Sequence, residues 1–108
     1  MQTHLIYMTA GSLEEAGKIG KALVDERLAA CVNIIERMHS IYWWEGKVQE
    51  DHEVVMIAKT SQALIEDLIK KVKSLHSYSV PCIVAVPIST GNPEFLEWIE
   101  KETLAHRS

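Results

Sequence analysis

Residues 40–47 read Ser-Ile-Tyr-Trp-Trp-Glu-Gly-Lys, and this stretch says more about the fold than any other part of the chain. Ile41 and the three aromatic residues that follow it are typical of a β-strand. Glu45-Gly46 then reverses the chain, because glycine tolerates the positive φ that a tight hairpin turn requires. The stretch therefore predicts a hairpin whose second strand begins at Lys47.

The four bulky residues 41–44 cannot all reach the core of their own subunit. Successive side chains of a strand point to opposite faces, and a chain of 108 residues has only a small core. We therefore expect at least half of these side chains to be covered by another copy of the chain. In the alternative interpretation, the hairpin clasps its own subunit with its aromatic side chains.

Hydrophobic periodicity predicts the other elements on either side of this hairpin. A capping box, Ser12-Leu13-Glu14-Glu15, predicts the start of the first helix. Asn92-Pro93 predicts the start of the last helix. The predicted elements are a strand at His4–Met8, a helix at Leu13–Arg27, a strand at Ala29–Ile35 that resumes at Ile41–Trp44 after a break at Glu36–His39, a return strand from Lys47 to Ala58, a helix capped by Thr60 or Ser61 with a stripe of Leu64, Leu68, Val72 and Leu75, a strand at Cys82–Val86, and a short helix that contains Phe95, Leu96, Trp98 and Ile99.

This order predicts one α+β domain over residues 1–108, a ferredoxin-like βαββαβ sandwich with an extended hairpin between the second and third strands and an extra C-terminal helix. In that arrangement the second and fourth strands are the edges of the sheet, and neither contains a charged residue. Apolar edges recruit other chains. Pairing of one kind of edge with the other is a heterologous contact that closes into a ring, most simply a homotrimer.

Composition and charge exclude several classes of function. The formal net charge is −4, and the Lys and Arg residues are scattered, so we expect neither nucleic acid nor an anionic membrane as a partner. The sequence shows no export signal, and its two cysteines fit no motif, which predicts a cytoplasmic protein with reduced thiols. Because the motifs of nucleophilic, phosphate-binding and zinc-hydrolase sites are absent from the sequence, we expect no enzymatic activity.

Four segments of the chain resemble the CutA divalent-cation tolerance proteins. They are residues 28–35, residues 40–47, residues 54–60 with their terminal Lys-Thr, and residues 91–98. The resemblance extends over essentially the whole chain. It implies a ferredoxin-like subunit, a cytoplasmic homotrimer, and an association with copper and other divalent metals, with no obligatory cofactor.

The chain departs from the family pattern at three places. Glu36-Arg37 stands where the family usually has Pro-Gly, so the kink in the long strand is less rigidly specified. Residues 76–82 lose two acidic residues of the family pattern and gain a thiol, Cys82. Met8 stands where the family ties copper binding to a cysteine, so that only His76 carries over as a ligand.

These observations make His76 the leading metal candidate, with Met8 and Cys82 as additional ligands. An imidazole suits copper or zinc, and a thioether favours Cu(I). In the alternative interpretations, His76 stabilises the C-terminal end of a helix, Met8 fills the core, and Cys82 is a buried, inert thiol. Cys31 lies in an apolar strand, which makes it a poor ligand.

A second kind of function is a signalling module that binds a small anionic metabolite in clefts between subunits. Tyr42, Trp43, Lys59 and Tyr78 would line such a cleft. The polar run Glu50-Asp51-His52-Glu53 is interpreted as a solvated arm, because adjacent residues of a strand point to opposite faces and cannot chelate together. In a third interpretation, the trimer is a scaffold for a partner that docks on the hairpin or on the last helix.

Overall fold

The computed structural model describes residues 2–103. Within them, four strands and three α-helices follow one another in the predicted order. The fold is α+β and ferredoxin-like, with a long hairpin and an additional C-terminal helix. The elements are β1 (Thr3–Ala10), α1 (Leu13–Asp25), β2 (Cys31–Trp44), β3 (Lys47–Ser61), α2 (Ile65–Leu75), β4 (Ile83–Pro87) and α3 (Pro93–Thr103).

The strands form one antiparallel sheet in the order β2-β3-β1-β4, so that β2 and β4 are its edges, as predicted. Helices α1 and α2 pack on one face of this sheet. Met8 lies opposite Met56 and Ile83 in the sheet and is fully buried under the helices. The same core holds Leu68 and Val72 of the α2 stripe.

The opposite face of the sheet, called here the open face, carries the side chains that alternate with the core residues. It includes Val84 and Val86 of β4 and Ile35 of β2, all about half exposed. Helix α3 meets this face at the end of β3, where the buried hydroxyls of Ser61 and Thr103 are hydrogen-bonded at 2.8 Å. Most of the open face is therefore an apolar surface that neither α1 nor α2 covers.

The predicted break in the second strand proved to be a β-bulge within one continuous strand. Ile35 pairs with Val55 and Met38 with Glu53, so that β2 has one residue more than β3 between these pairs. Arg37 adopts a φ of 68°, in the left-handed region that favours glycine. The extra residue changes which side chains face the open side: odd-numbered ones before the bulge, even-numbered ones after it.

Beyond the bulge, residues 38–53 form the hairpin arm, which projects from the body of the subunit. Its turn consists of Glu45 and Gly46, with φ values of 50° and 77°. Positive φ at both positions is the signature of a type I′ turn. The tight hairpin turn predicted at Glu45-Gly46 is therefore confirmed. Ile41, Tyr42, Trp43 and Trp44 are 65%, 39%, 73% and 47% exposed. The alternative in which the aromatic residues clasp their own subunit is therefore wrong.

Several boundaries differ from the prediction. Strand β1 extends to Ala10, α1 ends at Asp25 rather than Arg27, and β4 begins at Ile83 rather than Cys82. Helix α1 stops early because Arg27 has a φ of 60°, which ends a right-handed helix.

Neither Thr60 nor Ser61 caps α2. Both residues belong to β3, and a 3₁₀ turn, Gln62–Leu64, precedes the helix. The Thr60 hydroxyl instead donates to the Leu28 carbonyl at 2.7 Å. Within residues 2–103, no helix is long and apolar enough to cross a membrane.

Candidate functional site

His76 lies at the C-terminal cap of α2 and has hydrogen bonds at both ring nitrogens. Its Nε2 is 2.7 Å from the Thr9 carbonyl oxygen, and the Tyr78 N–H donates to Nδ1 at 3.0 Å. A carbonyl can only accept, so Nε2 carries the proton and Nδ1 holds the lone pair. His76 thus ties the end of α2 to β1 as a neutral imidazole of defined tautomer.

Glu15 holds the loop that follows His76. The Ser77 N–H donates to its carboxylate at 2.7 Å and the Ser77 hydroxyl at 3.1 Å, while the Gly11 N–H is 3.4 Å away. Partial burial on its own raises the pKa of Glu15, but the hydrogen bonds from Ser77 and Gly11 outweigh it and lower the pKa below the ordinary value.

The predicted capping box at the start of α1 is half realised. The Ser12 hydroxyl accepts from the Glu15 N–H at 3.1 Å, as predicted. The carboxylate of Glu15, however, reaches Gly11 and Ser77 instead of the Ser12 N–H. The same residue therefore starts α1 and fixes the loop at the end of α2.

Two tyrosines and two carboxylates form a cluster on the open side of the arm. The Tyr78 hydroxyl donates to Glu53 at 3.2 Å, and the Tyr42 hydroxyl donates to Asp51 at 2.7 Å. Partial burial and the charge of Glu53 raise the pKa of Tyr78 to about 12, and the hydrogen bond to Asp51 raises that of Tyr42. These four residues are called the Tyr78 cluster.

Gly11 provides the space that Tyr78 needs. A Cβ at this position would lie 3.2 Å from the Tyr78 hydroxyl oxygen, closer than ordinary van der Waals contact. The ring of Tyr78 also contacts that of His76, with centroids 4.7 Å apart. The Tyr78 cluster and the His76 loop are therefore parts of one surface.

Cys82 borders this surface and is exposed, which corrects the interpretation of a buried thiol. The residue lies just before β4, outside the strand that was expected to bury it. Partial burial of the sulfur and the charge of Glu53 raise the pKa of Cys82. Its sulfur is consequently a protonated thiol at neutral pH. Cys31 lies on the other edge strand, so the two cysteines are separated by the width of the sheet.

Met8 is fully buried in the core on the helix-covered face. Its thioether packs among the apolar residues of β3, β4 and the helices. This is the core-filling role that the alternative interpretation described.

The four residues of the predicted anion cleft do not come together within one subunit. Trp43 points to the opposite side of the arm from Tyr42, because the two are neighbours in a strand. Lys59 is hydrogen-bonded to Asn33 at the other end of β3. Lys59 lies six positions after Glu53, which corresponds to about 20 Å along the strand. Only Tyr42 and Tyr78 share a surface.

The carboxylates of this surface are not among the site residues predicted from the sequence. The sequence does contain a signal for them, because Asp51 and Glu53 are two residues apart in a strand and so share a face. Glu15 was identified only as a capping residue. In residues 2–103, no group of three or more His, Cys, Asp or Glu side chains is arranged to hold a metal ion. A complete metal site therefore needs water or a second chain.

Two concavities of the subunit lie away from the Tyr78 cluster. One concavity of about 330 Å³ is lined by Asp67, Lys70 and Ser74 among others, and one of about 510 Å³ by Arg27 and Trp98 among others. Neither includes His76 or the tyrosines. The candidate site is thus an exposed surface of the single chain rather than an enclosed pocket.

The fold and this surface define an α+β subunit with an acidic, tyrosine-lined patch beside an apolar open face. Residues 4–102 match the protein family described as CutA1 divalent ion tolerance protein. The chain belongs to this family.

The relatives include proteins of archaea, bacteria, plants and animals. The divalent-cation tolerance protein CutA of Archaeoglobus fulgidus is 48% identical over 98 residues, which cover 91% of this chain and 95% of that protein. The crystal structure of CutA1 from Oryza sativa has a TM-score of 0.93 at 40% identity and covers 100% of this chain and 97% of that one.

The structure of the divalent cation tolerance protein from Thermus thermophilus has a TM-score of 0.92 at 48% identity, with 94% and 98% of the two chains covered. The curated chloroplastic protein of Oryza sativa is longer, and the match spans 56% of its length.

Proposed function

We propose that the chain is a single-domain homotrimer that binds copper or a similar divalent cation, without catalysing a reaction and without an obligatory cofactor. The family's association with divalent-cation tolerance gives the general function. The observation that supports a binding role is the Tyr78 cluster, where carboxylates face an exposed surface beside His76.

The exposed apolar side chains of the subunit support the homotrimer. Trp43 is 73% exposed and Ile41 65% exposed, while Val84 and Val86 lie half exposed along an edge strand. Apolar surface of this extent is typical of an interface. Pairing of β2 with β4 of the next copy closes a ring of three, in which the arm packs on a neighbouring subunit.

His76 has the tautomer of a metal ligand. Histidines that bind metals usually donate their other ring N–H to a carbonyl or carboxylate, as Nε2 of His76 does to Thr9. In the proposed bound state, a cation replaces the Tyr78 N–H as the partner of Nδ1. Cys82 is the second candidate ligand, because a metal ion lowers the pKa of a thiol that it binds. Met8 takes no part, since its sulfur is enclosed in the core.

The same surface disfavours the alternative of a small anionic metabolite. The charges of Glu15, Asp51 and Glu53 repel an anion and attract a cation. Lys59, which was expected to attract the anion, lies about 20 Å away along β3. A cation therefore suits the surface better.

Calorimetric titration of the protein with CuCl₂ tests the assignment of His76. The variant His76→Gln removes the imidazole while its amide still donates to the Thr9 carbonyl, so the loop is held. We expect at least about tenfold weaker Cu(II) binding by this variant than by Tyr78→Phe, which keeps the imidazole. Equal affinities of the two variants would remove His76 from the site.

We propose a cytoplasmic location, because the free thiols of Cys31 and Cys82 suit a reducing compartment. Names of relatives place those proteins in other compartments, such as "periplasmic" for the Archaeoglobus fulgidus structure and "chloroplastic" for the curated rice protein. Cell fractionation tests the location directly. Recovery of the protein with a soluble cytoplasmic marker is expected, and recovery outside the cytoplasm would contradict the proposal.

A further inference from the structure

Two histidines face each other on the hairpin arm, on the side opposite to the Tyr78 cluster. His39 of β2 and His52 of β3 are direct partners in the register of the sheet. Their ring centroids are 5.3 Å apart, and the ring planes are inclined by 38°. Both residues are exposed in the single chain. The bulge creates this pair, because it shifts the side chains that follow Ile35 by one residue.

Glu50 lies on the same side of the arm, two residues before His52, and fixes the orientation of His39. Nε2 of His39 is 2.9 Å from a carboxylate oxygen of Glu50. A carboxylate only accepts, so Nε2 carries a proton, and in the neutral imidazole the lone pair is on Nδ1. A carboxylate that accepts from one ring nitrogen while a metal takes the other is the usual arrangement around metal-bound histidine.

His52 is otherwise without a polar partner in the described part of the chain. Its ring contacts His39, but it makes no hydrogen bond or ion pair with residues 2–103. Two imidazoles thus meet side by side, and in the neutral form each has one ring-nitrogen lone pair with no donor among the described residues. These unpaired ring nitrogens, together with the pairing of the two rings, point to an external ligand.

We propose that His39 and His52 form a binding site for a divalent transition metal ion, with Glu50 as the positioning residue for His39. Bonds of about 2.0–2.1 Å to imidazole nitrogens place the two donors about 3 Å apart around one ion. The ring centroids, 5.3 Å apart, are close enough for one ion to contact a nitrogen of each ring. Two neutral nitrogen ligands bind Cu(II) more strongly than Zn(II), Ni(II) or Co(II).

Water completes the coordination of this ion. No third His, Cys, Asp or Glu in residues 2–103 is placed to join a metal site. The ion is therefore held by two protein ligands and by water, and it remains exchangeable. The site deepens the proposed cation-binding function but shares no residue with His76 and the Tyr78 cluster.

Titration of the full-length protein with CuCl₂, followed by calorimetry and by electron paramagnetic resonance, tests the site. We expect one Cu(II) per chain at this site, in addition to the ion proposed at His76, with a spectrum that shows coupling to two imidazole nitrogens. His39→Ala and His52→Ala should each weaken this binding at least about tenfold and leave coupling to one nitrogen. Glu50→Gln should weaken it less and keep both nitrogens. Ser40→Ala, a neighbour on the other side of the arm, should bind like the unmodified protein.

The outcomes separate this site from the one at His76. Weaker binding in the His39 and His52 variants, with unchanged binding in His76→Gln, supports the site of His39 and His52 and contradicts the site proposed at His76. Unchanged binding in the His39 and His52 variants, with weaker binding in His76→Gln, overturns the site of His39 and His52. Because both histidines are exposed, the variants are expected to fold, and circular dichroism spectra that match the unmodified protein confirm it. Two-nitrogen coupling that persists in the double variant also overturns the proposal.

Discussion

Replacement of Arg37 by glycine should stabilise the protein. Arg37 sits in the bulge of β2 with a φ of 68°. A left-handed backbone costs a residue with a Cβ about 1–2 kcal/mol compared with glycine. The side chain is exposed and makes no hydrogen bond or ion pair with residues 2–103, so its removal loses no such contact.

The expected gain in the free energy of unfolding is smaller than the backbone strain that Arg37→Gly relieves. Glycine also gives the unfolded chain more freedom, which costs about 0.5–1 kcal/mol. The net stabilisation is therefore about 0.5–1 kcal/mol. For a chain of this size, that raises the unfolding temperature by about 2–6 °C.

Guanidinium unfolding followed by circular dichroism at fixed chain concentration measures this change. The matched control is Glu36→Gly, because Glu36 is the other residue of the bulge and does not have a positive φ. It should lose about 0.5–1 kcal/mol. Arg37→Ala keeps the Cβ and should gain nothing comparable. If Arg37→Gly destabilises the protein as much as Glu36→Gly does, the account of the bulge is wrong.

Three further changes test other contacts. Thr103→Val leaves the buried Ser61 hydroxyl without its partner and should cost about 1–3 kcal/mol in chemical unfolding. Thr103→Ser keeps the hydroxyl and should cost about 1 kcal/mol, for the lost buried methyl group. The lowered pKa of Glu15 stabilises the fold above its unfolded pKa, and this contribution is lost as the pH falls through the folded value. Thermal unfolding from pH 7 to 3 should therefore show a shallower acid loss in Glu15→Gln, and an unchanged acid loss would refute this role. The pKa of Tyr78 is raised to about 12, so its contribution is present below pH 10 and lost as the pH rises through 12; Tyr78→Phe should flatten the alkaline loss, and an identical alkaline profile would refute the assignment.

The sequence predicts the element order because hydrophobic periodicity and turn residues are local signals. The stripe of α2 and the Glu45-Gly46 turn were both read from neighbouring residues. The cap of α2 was predicted wrongly because the Thr60 and Ser61 hydroxyls bond residues far away in the chain, at Leu28 and Thr103. Long-range partners of this kind leave no local pattern.

The candidate site was only partly predictable for the same reason. The bonds of His76 depend on Thr9, which lies 67 residues earlier in the chain. The pairing of His39 with His52 depends on the bulge, because without the extra residue their parity along the strands would differ. That Asp51 and Glu53 share a face, in contrast, follows from strand periodicity alone.

In the proposed homotrimer, other copies of the same chain cover the exposed arm and the edge strands. Sedimentation equilibrium of the full-length protein at micromolar concentration tests this most directly. We expect one species of three times the 12.2 kDa chain mass. A stable 12.2 kDa monomer with these surfaces in solvent would contradict it.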